Sequence, residues 1–477
     1  MSTALAPDRP LPAIPQESST PSMPHVDGVT PRWWRDVSAA LAWAVLLFVG
    51  ALWVAGGGLA SFGTVADGVT SVGRITGLLA SALILLQVLL MARIPFVEQA
   101  WGQDELARVH RLVGFTSFNL MLAHIVLVIV GYSVGTGVGV VGTFLDEVLN
   151  SPGMLLALAG AVALVMVVVT SIRAARRRLR YESWHLLHLY AYVGAGLALP
   201  HQLWTGQDFR VSAVSTVFWW GLYATALAAV LVFRVVVPLT RSLRHRLVVS
   251  QVVAESPSVM SVVVTGRELH RLKVRAGQFF QWRFIDGPGS SRANPYSLSA
   301  APDGRSLRIT VDAVGDSSAR LSRLRVGTPV LVEGPYGRLH AGVRTREKSV
   351  LIGAGIGITP LRALLEELPA GPGNVVVIHR VSSRDDMVLA GELTALAAVR
   401  GASVIPVVGH RHPARDSWLP VEAGDVDDAE ALRRIVPDIA DRDVYICGAP
   451  RWMDTVVAAA RGAGVPGGSI HHERFSY

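Results

Sequence analysis

Apolar residues along this chain change their period twice. From about 38 to 237 they run together in six stretches, at roughly 38–57, 75–95, 109–132, 152–172, 183–203 and 213–237, each near the roughly 20 residues that span a bilayer as a helix. From 247 the apolar positions alternate in short runs, LVVSQVVAE, SVMSVVVTGR, GQFFQWRFI, SLRITVDAV and TPVLVEGPYG, punctuated by Gly and Pro as in a small antiparallel β-barrel. From 349 short apolar strands alternate with helical segments: SVLIGA, a helix near 360–368, then NVVVIHR, SVIPVVG and DVYICGA. That order is the mark of an α/β parallel, doubly wound sheet. The expected architecture is therefore a six-helix membrane bundle over 32–246, an antiparallel β-barrel over 247–345 and an α/β domain over 346–477. Residues 1–31 are rich in Pro, Ser and Thr without apolar period, and read as a disordered cytosolic tail. No apolar core follows a basic start there, so a signal peptide is not expected.

Composition agrees with a membrane half: 51% hydrophobic and 17% charged residues, with a mean hydropathy of +0.41. A net charge of +8 raises the question of nucleic acid, but the placement of the charge answers it. Arg32 and Arg35 precede the first apolar stretch, Arg93, Arg108 and Arg111 flank the second connection, and Arg173, Arg176, Arg177, Arg178 and Arg180 fill the fourth. Arg241, Arg244 and Arg246 follow the sixth stretch, whereas the loop at 133–151 has no Lys or Arg. The positive-inside rule then puts both termini in the cytoplasm of a multi-pass plasma-membrane protein, with the lipid bilayer as partner and no nucleic acid. The single cysteine, Cys447, excludes an internal disulfide or a four-cysteine iron–sulfur cluster.

Imidazoles inside hydrocarbon are costly and point to function, and neutral imidazole is the commonest protein ligand for metals. The third stretch carries His110 and His124, and the fifth carries His188 and His201, with His185 one turn away. Spacings of 14 and 13 residues set each pair about 20 Å apart along its helix. Both stretches run outward, so His110 and His188 share the inner level, and His124 and His201 the outer. Two helices so equipped can clamp two stacked haems, one His from each helix per iron. The 13-residue spacing does not return to one helix face, and Pro200 is the expected device that re-aims His201. His185 shares a face with His188 and remains an alternative ligand.

The soluble half holds RANPYSLSAAP at 292–302. It resembles the flavin signature of the ferredoxin–NADP reductase superfamily, Arg-x-Tyr-Ser or His-Pro-Phe-Ser/Thr. The resemblance implies that Tyr296, after Pro295, packs on the isoalloxazine of FAD and that Ser297 bonds near flavin N5. Asn294 stands where the family has Arg or His, and Arg292 is the candidate substitute for that pyrophosphate contact. GDSSARL resembles the second flavin element, which implies that Gly315, Ser317 and Ser318 hold the pyrophosphate. GAGIGITPLRALL at 353–365 leaves a strand and opens a helix, the arrangement that favours a pyrophosphate at a helix N-terminus. Its Gly353, Gly355, Gly357, Thr359 and Pro360 match the superfamily's nicotinamide nucleotide motif. CGAPRWM is similar to a second such element, in which Cys447 and Gly448 line the nicotinamide pocket and Met453 packs behind. In HRVSSRDD no acid awaits a ribose 2′-OH; Arg380, Ser382 and Arg384 suit a 2′-phosphate, hence NADPH over NADH, with a plain surface charge cluster as the alternative. The end, Glu473-Arg474-Phe475, resembles the family's terminal Glu-x-aromatic, whose ring covers the flavin; Tyr477 is a second candidate for that ring.

Taken together, residues 40–477 resemble the NADPH oxidase and ferric reductase superfamily. The resemblance implies a flavocytochrome b reductase in which hydride from cytosolic NAD(P)H passes to FAD and single electrons pass through two b-type haems. Tyr296, Ser297, Cys447 and Phe475 would stand at the reacting centre, and His110, His124, His188 and His201 would ligate the irons. The external acceptor is read as ferric iron; dioxygen, giving superoxide or peroxide, and a partner protein are the alternatives. Oligomeric state is left open by the sequence.

Overall fold

The computed structural model describes residues 33–176, 178–179, 181–287, 292–313, 318 and 320–474. Its first half is helical: α1 (Trp33–Ala55), α2 (Val65–Met91), α3 (Pro95–Trp101), α4 (Gln103–Thr136), α5 (Val140–Asn150), α6 (Met154–Ser171), α7 (Tyr181–Trp204) and α8 (Ala213–Val230). A π-turn over Leu231–Val236 carries α8 without interruption into α9 (Val237–His245).

Among the described residues five helices are long and apolar enough to cross a membrane: α1, α2, α4, α6 and the continuous Ala213–His245. The sequence led us to expect six. The segment that does not qualify is α7, which has the length, 24 residues, but carries His185, His188 and His201 together with three tyrosines. The polar side chains that make α7 chemically interesting also lower its hydropathy. α5 is a short extra helix that the apolar pattern did not announce.

Helices in lipid gain little from hiding apolar surface, so close packing relies on small residues. α2 and α4 meet in this way: a Cβ on Gly73 would lie 2.8 Å from the Val128 side chain, and one on Gly131 would run into Thr70. α6 and α7 meet glycine to glycine, since a Cβ on Gly160 would lie 2.7 Å from the Gly194 carbonyl oxygen. Val49, Leu78, Ala82, Leu85 and Trp219 join α1, α2 and α8 in one apolar cluster.

The next six strands, β1 (Leu247–Ala254), β2 (Val259–Thr265), β3 (Phe279–Phe284), β4 (Asn294–Ser297), β5 (Ser306–Asp312) and β6 (Pro329–Tyr336), form an antiparallel sheet in the order β4-β3-β6-β1-β2-β5. Alternate residues point inward, and Val262, Val264, Phe280, Trp282, Leu298, Ile309 and Val332 fill the core. A bridge from Leu298 to Ile309 draws the two outermost strands together, and the Ser299 amide donates to the Arg308 carbonyl at 2.8 Å. Pairing between β4 and β5 goes no further among the described residues.

The last five strands are all parallel: β7 (Ser349–Ala354), β8 (Val375–Val381), β9 (Ser403–Val408), β10 (Asp443–Cys447) and β11 (Ile470–His472), in the order β11-β10-β7-β8-β9. Helices α10 (Ile358–Glu367) and α11 (Ala390–Arg400) pack on one face, and α12 (Asp428–Ile435) and α13 (Pro450–Gly462) on the other. Chain order reverses between β7 and β10, and ligands of such sheets bind in the crevice beyond the strands' carboxyl ends at that point.

Candidate functional site

In the bundle, α4 and α7 bring His110 and His188 face to face. The rings of His110 and His188 stand with centroids 6.0 Å apart and planes inclined by 64°. An iron shared by two imidazoles at about 2 Å from each nitrogen requires a centroid separation of about this size. His188 Nδ1 faces Ser171 Oγ at 3.3 Å, and Trp184 lies beside the ring with centroids 5.1 Å apart. Of the two histidines on this turn of α7, it is His188 whose ring meets His110.

At the other level, His124 Nδ1 sits 2.8 Å from the Gly73 carbonyl oxygen. Donation to that carbonyl fixes the tautomer and leaves Nε2 free, the usual preparation of a metal-ligating imidazole. Gly77 makes room for the ring: a Cβ there would lie 2.5 Å from His124 Nδ1. His201 lies within electrostatic range of His124, and its backbone is pressed by Gly153, held at φ +82°, whose Cβ would be 2.8 Å from His201 N. The facing rings of His110 and His188, with His124 and His201 on the same two helices, are the residues that would hold two haems. Among the described residues no group of three or more His, Cys, Asp or Glu side chains gathers as a metal cage; an axially ligated haem needs only two.

In the antiparallel sheet, β4 holds Asn294, Pro295, Tyr296 and Ser297 against β3, with Phe280 opposite Tyr296. The Trp282 indole donates to the Tyr296 carbonyl at 2.9 Å, which fixes the strand from beneath. Tyr296 is half-buried, and burial pushes its phenol up to about 12. Such a residue is a neutral aromatic surface, which suits stacking on a flavin. Arg292 is exposed just before β4, and Ser318 is half-buried. Gly315, Ser317, Phe475 and Tyr477 lie outside the described residues.

The glycine loop leaves β7 at Gly353 and turns through Gly355–Gly357 into α10. Gly355 has φ +51° and open space where a Cβ would stand, whereas a Cβ on Gly357 would lie 2.4 Å from the Cys447 carbonyl oxygen. One glycine exposes backbone to a ligand and the other lets two loops touch. Thr359 and Pro360 are buried in the first turn of α10, with Thr359 Oγ1 donating to the Ile356 carbonyl at 3.0 Å. Gly353 is in register with Cys447, so the glycine loop and the Cys447–Gly448 turn lie side by side at the sheet's switch point. Met453 is fully buried behind them. Burial, with the Glu473 carboxyl adding to it, pushes the Cys447 thiol up to about 12, so Cys447 is a protonated, small wall residue rather than a thiolate nucleophile.

One expected ligand is corrected. Arg380 is buried and committed to backbone carbonyls: Nη1 donates to Gly409 at 2.7 Å and to Val381, Nε to Trp418 at 3.2 Å, and Nη2 to His410 at 3.3 Å. It ties the ends of β8 and β9 together, with four of its five N–H donors held by backbone carbonyls, so its place is structural rather than on a phosphate. Ser382 and Arg384 are exposed beyond β8.

Two features escaped the sequence, and a third, the burial of Glu473, was not visible in its motif. Arg308 donates to both oxygens of Glu392, at 2.8 and 2.9 Å, and Arg362 joins Glu392 at 3.0 Å. Both arginines also reach the Ser299 carbonyl, at 2.9 and 3.3 Å, so this clamp ties the segment just past Ser297 to α10 and α11. Its one legible sign was Arg362, a cation in the apolar run ITPLRALL. His379 is fully buried in β8, in register with Gly353 and beside the Gly355 backbone; burial pushes it down to about 4. Glu473 is buried against Gly337, and burial holds its carboxyl far above the usual range.

Comparison with known proteins fits this geometry. The ferric reductase like transmembrane component family matches residues 76–199, and the oxidoreductase NAD-binding domain family matches residues 351–458. The ferredoxin reductase component of 3-ketosteroid-9-alpha-monooxygenase from Mycolicibacterium smegmatis is 32% identical over 241 residues, 48% of this chain and 64% of that protein. This chain thus spans a little under two thirds of that relative. Ferredoxin–NADP reductase B of Sorangium cellulosum is 31% identical over 198 residues, 40% of this chain and 80% of the relative. Among solved structures, the FAD/NAD-binding domain of a nitric oxide dioxygenase from Vibrio cholerae is 29% identical, covering 49% of this chain and 99% of its own, with a TM-score of 0.40. Fold and site define a membrane oxidoreductase that joins a helical transmembrane domain to an FAD- and NAD(P)H-binding reductase module. Within that class, the chain belongs to the ferredoxin–NADP reductase-type reductases, with a ferric-reductase-like transmembrane component ahead of the module.

Proposed function

We propose that this protein is a plasma-membrane flavocytochrome b that carries electrons outward from cytosolic NAD(P)H through FAD and two b-type haems to an external acceptor. In this reading α7 is the sixth span and both termini are cytoplasmic, as the arginine-rich loops require. The observation that carries the proposal is the meeting of His110 with His188 at 6.0 Å, with His124 and His201 forming a second level on the same two helices.

When bound, FAD takes two electrons as a hydride and passes them on singly, and haem iron held by two imidazoles changes oxidation state without needing an open coordination site. The chain's own residues do the positioning. Gly355 and the N-terminus of α10 receive the nucleotide pyrophosphate, Gly357 lets the Cys447–Gly448 turn close the pocket, and neutral Tyr296 and Cys447 exclude water without adding charge. Ser382 and Arg384 favour NADPH, with Arg380 only shaping their loop. His124 donates to Gly73 and so keeps its other nitrogen for iron.

Ferric iron in a cationic or weakly chelated form is the proposed acceptor. Of the outer charges, Asp208 is neutralised by a bidentate Arg74 at 2.6 and 2.9 Å, which leaves Asp67, Asp146 and Glu147 as an open acidic surface. The test is NADPH oxidation by inside-out membrane vesicles, with oxygen excluded and then restored. Anaerobic turnover with luminal ferric iron is expected; turnover that needs oxygen, yields superoxide and ignores ferric complexes would move the reading to an oxidase.

A further inference from the structure

The connection between α2 and α4 is the place where the bundle grips the reductase module. Arg93, just past the end of α2, is held at φ 65°, a left-handed conformation that a side-chain-bearing residue adopts only under constraint. The constraint is visible. Its guanidinium lies 4.2 Å from the centre of the Tyr336 ring at the end of β6, donates to Gln103, and stands 3.5 Å from Glu98 and 4.0 Å from Glu333. Tyr336 in turn donates to Glu333 at 2.9 Å, and Arg234, on the π-turn below α8, reaches Glu333 at 3.6 Å. Arg93, Glu98 and Glu333 are all largely withdrawn from solvent, so these charges are weakly screened and their pairing is exacting.

Two further ties surround this point. Arg338 donates to the Ala100 carbonyl at 3.2 Å, and the Arg474 amide donates to Asp104 at 2.8 Å. The grip thus falls on the turn after β6 and on the chain end, next to Glu473, which reaches the Cys447 side of the nucleotide crevice. On the membrane side it falls at the head of α4, two turns before His110. One cluster therefore touches both the reductase crevice and the end of the bundle that holds the His110–His188 pair.

We propose that Arg93 is a positioning residue for electron passage between the two halves, latching the Tyr336–Glu333 corner of β6 to the start of α4. It makes no contact with the reacting groups. The inference rests on the flavin-to-haem route proposed above, and its test separates the two.

Full-length protein in lipid nanodiscs is mixed anaerobically with NADPH, and flavin bleaching and haem reduction are followed separately. Hydrogen exchange is measured in parallel over 95–104 and 333–338. In Arg93→Met, flavin bleaching stays at the wild-type rate, haem reduction slows about tenfold or more, as misplaced reactants do, and both peptides exchange faster. Arg93→Lys, which keeps the cation, recovers part of the rate. Glu333→Gln repeats the pattern more weakly and replaces Arg93→Met if that variant does not fold. Wild-type haem reduction with unchanged exchange overturns the latch, as does equal slowing of both steps. If the wild-type protein binds flavin but no haem, the route fails; faster exchange in Arg93→Met would then uphold the latch as a docking contact, and unchanged exchange would overturn it.

Discussion

In the membrane bundle the large side chains turned outward are apolar: Trp43, Leu47, Phe115 and Val217 each expose more than 60% of their surface. In the reductase module the same kinds of side chain are turned inward, with Trp282, Trp418, Tyr445 and Phe280 almost fully buried. Water drives the second arrangement and is missing from the first. Apolar residues in the bundle therefore say where lipid is but little about how the helices meet. That information sits in glycines, which set the contacts of α2 with α4 and α6 with α7, and in a few polar groups such as Gln202, which takes a bond from Tyr223 at 2.7 Å and gives one to Ser81 at 3.0 Å. In the module, apolar alternation defines the antiparallel strands and continuous apolar runs the parallel ones, and the candidate nucleotide-binding residues gather in loops beyond the parallel strands' carboxyl ends. A histidine is informative in the bundle because it is out of place there; an arginine in the module is informative only once its partners are known.

The sharpest test of that last statement compares two arginines four residues apart. Arg380→Ala strips several buried carbonyls of their donors, at about 1–3 kcal/mol for each group left unmatched. Calorimetry should show a clear fall in the module's Tm, with KM rising alike for NADPH and NADH. Arg384→Ala should leave Tm unchanged and raise KM for NADPH roughly 10- to 150-fold more than for NADH, the loss of one charge-assisted phosphate contact. Equal effects of Arg384→Ala on both nucleotides would make Arg384 a solvent-facing charge and break the division.

A smaller effect concerns buried imidazoles of the module. Burial pushes His340 down to about 3 and His379 down to about 4, against 6.5 for an ordinary histidine. The unfolded chain then binds more protons than the folded one between about pH 6.5 and 4, so folding stability falls as pH drops through that window. His340 Nδ1 accepts from the Gly342 amide at 3.1 Å, a role that Asn can take without titrating. His340→Asn should lose part of the acid sensitivity of the module's denaturation midpoint while matching the wild type at pH 8. Identical pH profiles would show that these imidazoles do not set it.

Much of this was legible before the structure. Residue alternation marked the strands of the antiparallel sheet, short apolar runs between helices marked those of the parallel sheet, and GAGIGITP marked the turn from β7 into α10, because glycine placement there is dictated by backbone approach. The spacing of His110 to His124 and of His188 to His201 marked two levels in the bundle. What was not legible depended on distant partners. Arg380 reads like a phosphate ligand until Gly409 and Trp418, 29 and 38 residues away, are seen to accept its donors. The sequence already favoured His188 over His185, but that its ring meets His110 needed the position of α4. The grip of Arg93 on β6 joins residues that lie on either side of the domain junction, and no local pattern connects them. α7 was expected to look like its neighbours; its own histidines and tyrosines set it apart.

The central claim is that four histidines on α4 and α7 hold two haems above a flavin reductase. The direct measurement is the pyridine haemochrome content of purified full-length protein per bound flavin, for the wild type and for His124→Ala and His201→Ala. The account predicts two b-type haems per flavin in the wild type, with six-coordinate spectra, and a fall to about half in either variant, since iron with one axial ligand missing is poorly retained. Flavin without haem in the wild type, or unchanged haem in both variants, would contradict it.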